Sequence, residues 1–247
     1  MKKTLFFARR NWLEMRRDPI SLFFGVAFPI MLLLLLSLID RSIPAEAQMH
    51  LFEIENLAPG IAVFSLSFLT LFSAMLISKD RTSAFVLRLY CSPLSGSGFI
   101  LGYVLPLLPM AAAQMAVCFL AAVLMGLTVS WNILLCIAVS LPIMVFYIAI
   151  GLLCGTLLSE KAVGGACGAL LTNVSAWLSG TWFSLDLIGG VFRKVAYCLP
   201  FANAVDAARA ALAGRTGIWK NLWIVLAWAF AAMLLAVVVF ARRRKAK

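Results

Sequence analysis

The run Pro93, Leu94, Ser95, Gly96, Ser97 and Gly98, with Gly102 beyond it, comes nearest in this sequence to a phosphate cradle, and it falls short of one. A nucleotide-hydrolysing loop needs G-x-x-x-x-G-K-[ST], in which backbone N–H groups surround the phosphates and the Lys reaches them; no such run occurs. The same glycines lack the spacing and the preceding strand of a dinucleotide fingerprint. Hydrolysis is equally unsupported: H-E-x-x-H and G-x-S-x-G are missing, and the single histidine, His50, stands in a short acidic stretch. The cysteines Cys91, Cys118, Cys136, Cys154, Cys167 and Cys198 form no C-x-x-C pair and read as small apolar residues. The chain is therefore expected not to be an enzyme and to bind no metal or cofactor itself.

The elements that carry these residues are set by hydropathy. Hydrophobic residues make up 64% of the 247, against roughly 45 to 50% in soluble domains, and the mean hydropathy is +1.02. About 20 apolar residues span roughly 30 Å of hydrocarbon, and six stretches qualify: 20–39, 58–78, 99–125, 132–158, 163–183 and 222–241. The expectation is one all-α membrane domain, 1–247, with six transmembrane helices. None of the 31 charged residues, nor His50, lies within the six. A transporter driven by protons or sodium keeps an ionisable group at that depth, so the energy is expected to come from another polypeptide.

Charge sets the orientation. Fifteen cations and four acids fall on the side of both termini, net +11; the other side has six of each, net 0. The basic side is expected to be cytoplasmic by the positive-inside rule, in a bacterial inner membrane. Each basic cluster abuts a span, so anionic lipid, not nucleic acid, is its expected partner. Residues 1–19 mix Leu5, Phe6, Phe7, Trp12, Leu13 and Met15 with six cations before Pro19, as in an amphipathic helix on the lipid surface. The apolar run that follows is too long for a signal peptide's core and reads as a retained helix.

Two connections exceed simple turns: an inner one over 79–98 and an outer one over 184–221, in which 185–199 and 201–212 read as short helices of an extracellular cap broken at Pro200. The pairs Gly98/Gly102, Gly151/Gly155 and Gly164/Gly168 are four apart, a spacing that lets helices approach closely. Asn173, near the middle of the fifth apolar stretch, and Ser67, Thr70 and Ser73 on one side of the second must find partners. These are either neighbouring helices or a polar path.

Three stretches together resemble the permease subunits of type-2 ABC exporters. They are Asp80, Arg81, Thr82, Ser83 and Ala84 with Leu89 to Ser95, Leu101 and Gly102; then Leu178, Ser179, Gly180, Thr181, Trp182 and Phe183; then Leu199 to Arg209, reading L-P-F-A-N-A-V-D-A-A-R. They are similar to the family's E-R-x-x-G … L-x-x-T-P-L-S … L-G-K, L-S-G-x-x-F and L-P-x-x-x-A-V-D-A-x-R patterns. Ala84, Leu87, Tyr103 and Ser184 stand where the family has Gly, Glu, Lys and Pro.

The resemblance implies a multi-pass permease, paired with a second copy in a homo- or heterodimer and energised by two cytoplasmic ABC ATPase subunits, which hold the ATP and Mg. It implies that 79–98 forms a coupling loop, with Asp80, Arg81 and Arg88 as polar docking contacts and Phe85 and Leu89 as an apolar plug. Because the second and fifth spans line the family's pathway, it makes Ser67, Thr70, Asn173 and Phe183 candidates for the substrate path. A path without charge suits an amphipathic or drug-like compound or small peptide, as in multidrug efflux. A permease-like scaffold or sensor that moves nothing is the alternative, and a passive channel lacks a polar ring.

Overall fold

The computed structural model describes residues 2–19, 23–42, 51–82 and 96–245, and all regular structure among them is helical. Helix α1 (Lys2–Arg16) carries Phe7, Asn11 and Met15 at four-residue intervals, and all three are buried. That stripe lies on a neighbouring helix and not on lipid, while Leu5 and Phe6 on the other side are 66% and 69% exposed. The amphipathic helix is thus present, but its most buried face meets protein.

Five helices are long and apolar enough to cross a membrane: α2 (Phe23–Ser42), α3 (Ile54–Arg81), α4 (Gly96–Leu124), α5 (Asn132–Leu157) and α10 (Ile218–Lys245). In α3, 94% of the apolar window is buried, against 22% in α2 and 28% in α10. Helix α3 is therefore the centre of the bundle, with α2 and α10 on its periphery.

Helix α3 is interrupted at Leu66 and Ser67. There Leu69 N–H donates to Leu66 O at 3.0 Å and Thr70 N–H to Ser67 O at 3.1 Å, one residue short of the α-helical register. This releases the buried Ser65 carbonyl, and the Gln114 side-chain amide fills the gap: its Nε2 donates to Ser65 O at 2.8 Å. Helices α3 and α5 run in close contact because Gly151 and Gly155 have no side chain. A Cβ at Gly151 would collide with Ser73 Oγ and Thr70 O, and one at Gly155 with Ile77 and Ala74 O. Gly102 is likewise covered by the Phe7 ring, whereas Gly164 faces open space.

Two expected elements differ in detail. The expected span at 163–183 is helix α6 (160–178), made of an α-turn Glu160–Val163, a π-helix Gly164–Leu171 and an α-segment Thr172–Leu178. Its middle is thus π-helical, and the element is not one continuous α-helix. The connection after α6 has three helices: α7 (Leu185–Ile188), α8 (Gly190–Cys198) and α9 (Pro200–Leu212). Its first break falls at Gly189 and Gly190, both at positive φ. Helix α9 is packed into the bundle: its Phe201, Ala204, Val205, Ala208 and Ala211 are buried, and it packs on α10, on the N-terminal part of α3 and on the N-terminal part of α5.

Candidate functional site

At the basic end of the bundle, Asp80 sits near the end of α3 with its side chain 2% exposed. A carboxylate so buried needs partners. Arg10 Nη1 of α1 lies 2.8 Å from Oδ1 and donates to Oδ2 at 2.9 Å, and the Tyr103 hydroxyl of α4 donates to Oδ2 at 2.7 Å. Arg10 Nη2 also meets Glu14 Oε2 at 2.7 Å. Asn11 Nδ2 donates to Gly102 O at 3.0 Å. The sequence supplies the reason: Pro106, four residues on, has no N–H to give that carbonyl. Phe7 completes the junction, stacked with Phe99 and edge-on to Tyr103, and Phe99 stacks in turn on Phe240 of α10.

Arg81, the next residue, turns to α5. Its Nη1 donates to Gly155 O at 2.6 Å and to Leu158 O at 3.1 Å, carbonyls that the last turn of a helix leaves without internal donors. The segment 83–95 thus leaves from a residue fastened to α5 and returns into a helix fastened to α1. Phe85, Arg88 and Leu89 lie outside the described residues. Asp80 and Arg81 are placed side by side in sequence but bind opposite neighbours.

At the other end, α9 carries a second junction. Arg209 Nε donates to Asn56 O at 3.1 Å and Nη2 to Gly180 O at 3.2 Å, with Nη1 3.9 Å from Asp206 Oδ1. Gly180, at φ 67°, reverses the chain after α6 and so presents its carbonyl. Tyr197 OH donates to Asp206 Oδ2 at 2.9 Å, and Asn203 Nδ2 donates to Tyr197 O and Leu199 O. Burial raises the Asp206 carboxyl above its usual range, with Tyr197 and Arg209 opposing, and pushes the Tyr197 phenol up to about 12. Burial also lowers Arg209.

The four substrate-path candidates are not brought to one surface. Ser67 and Thr70 are fully buried at the break in α3, and their hydroxyls have no hydrogen-bond partner among the described residues. Asn173 is exposed on α6, its Nδ2 donating back to Ala169 O at 2.8 Å. Phe183 is half-buried against Phe192 of α8. Sequence reasoning passed over Arg10, Asn11 and Arg209. A signal existed for Asn11, an amide in the middle of the buried Phe7–Met15 stripe; Arg10 looked like one more basic-tail cation.

Among the described residues no group of His, Cys, Asp and Glu is placed to hold a metal ion. The arrangement is a set of apolar helices pinned at both ends by buried polar ties, which defines a multi-pass membrane protein. The model of the ABC-2 type transporter family matches residues 3–213. The chain belongs to that family and is the permease component of an ABC transporter. Comparison with curated proteins returns no match.

Proposed function

We propose that this permease exports an amphipathic or drug-like compound or a small peptide, driven by two copies of a separate ABC ATPase that supply ATP and Mg. The observation that carries the reading is the pair of ties flanking 83–95: Asp80 to α1 and α4, and Arg81 to α5. A push on that segment reaches four helices at once, which suits a coupling loop. Asp80 and Arg81 anchor its start, and Phe85, Arg88 and Leu89 provide the docking contacts. The six apolar stretches of the sequence hold no Asp, Glu, Lys, Arg or His that could relay an ion, in keeping with nucleotide power.

In this reading α6 is a sixth crossing, both termini are cytoplasmic in a bacterial inner membrane, and α7 to α9 close the outer side. A second permease copy pairs with this one, and cargo passes along the face that bears Asn173 and Phe183. Ser67 and Thr70 stand behind it, at a helix break whose hydroxyls become available as the helices part. In proteoliposomes containing the ATPase, cargo is expected to stimulate ATP hydrolysis, and Phe85→Asp to abolish that response while leaving the permease inserted. Export at the wild-type rate by Phe85→Asp would overturn the coupling-loop assignment.

A further inference from the structure

We infer that the groove between α1 and α4 is a binding site for one anionic phospholipid of the leaflet that α1 faces. A cavity of about 840 Å³ opens between Leu5, Phe6 and Trp12 on one wall and Leu105, Pro106 and Pro109 on the other. A second, of about 160 Å³, continues from Trp12 past Met15 to α2. The walls are apolar enough for an acyl chain.

The rim supplies the charge. Arg9 lines the first cavity and Arg16 the second. Arg9, Trp12 and Arg16 are spaced i, i+3 and i+7, so they form one stripe with the indole between two guanidinium groups. Both arginines are exposed and make no ion pair among the described residues, whereas Arg10, one position away, is engaged by Asp80 and Glu14. Two exposed cations beside an apolar groove fit a phosphodiester with its tail. Trp12 suits the boundary between headgroup and hydrocarbon. This site rests on the basic side facing anionic lipid, and not on transport, so it is read without ATPase or cargo.

The test uses the full chain in phosphatidylcholine nanodiscs doped with brominated phosphatidylglycerol, a heavy-atom quencher. Quenching of tryptophan emission is expected to saturate, and the saturating component to vanish in Trp12→Phe. Arg9→Gln with Arg16→Gln is expected to weaken it about 25-fold, taking about fivefold for each cation near an anionic headgroup. Arg17→Gln, whose side chain lies on the Lys79 side of α1, leaves it unchanged. Equal quenching by brominated phosphatidylcholine, or a loss in Arg17→Gln as large as in the double variant, would show mere lipid solvation of the groove and overturn the site.

Discussion

Arg10 and Asp80, seventy residues apart, form an ion pair at 2.8 Å in which the acid is buried and the base is 37% exposed. The asymmetry gives unequal costs. Arg10→Ala strands a buried carboxylate and is expected to lower stability by about 2 to 4 kcal/mol, reduced from the fully buried case by Arg10's exposure. Asp80→Asn removes the charge while keeping an acceptor for Tyr103, and should cost about 1 kcal/mol. Arg10→Ala combined with Asp80→Asn should be less damaging than Arg10→Ala alone, because no unpaired charge remains. Thermal unfolding in one detergent checks the order of the three.

Gly151 and Gly164 belong to similar small-residue pairs but differ in surroundings. Gly151→Ala drives a methyl group into Ser73 and the Thr70 backbone, and is expected to cost about 1 to 3 kcal/mol. Gly164→Ala meets nothing within 4 Å and should be neutral or slightly stabilising. The same unfolding assay distinguishes them; equal effects would contradict the α3–α5 contact.

Asp206 gives the α9 junction a pH dependence. Burial raises its folded carboxyl, so the folded state holds the proton to higher pH than the unfolded state does. The associated stabilisation is complete below the unfolded value of about 3.9 and is lost as pH rises through the folded value. Asp206→Asn keeps an acceptor for the Tyr197 hydroxyl and should remove that acid-side slope. Melting curves of both proteins from acid to neutral pH provide the comparison.

How much of this was legible follows from what the bilayer demands. Long apolar stretches announce themselves because a crossing helix must satisfy its own backbone and face hydrocarbon, which placed α2 to α5 and α10 within a few residues. The approach at Gly151 and Gly155 was readable for a related reason: only small residues allow it. Helix α9 was readable as a helix after Pro200, but its depth of packing was not, because Asp206 and Arg209 look like surface charges whereas both make ties within the fold. The π-helical winding of α6 depends on its packing, and hydropathy does not encode it. Two motifs, at 178–183 and 199–209, were visible in the sequence, yet their meeting through Gly180 O and Arg209 spans 29 residues that no local pattern bridges. Of the residues proposed for coupling, Asp80 and Arg81 turn inward, and Phe85, Arg88 and Leu89 lie outside the described residues.

The central claim is that a separate ATPase, and no ion gradient, powers this permease. Reconstitution of the chain with and without its ATPase, under imposed proton and sodium gradients, tests it by following accumulation of a fluorescent amphipathic cargo. The account predicts uphill movement with ATPase and ATP alone, and none from either gradient on the permease by itself. Uphill movement by the isolated permease on a gradient would contradict it.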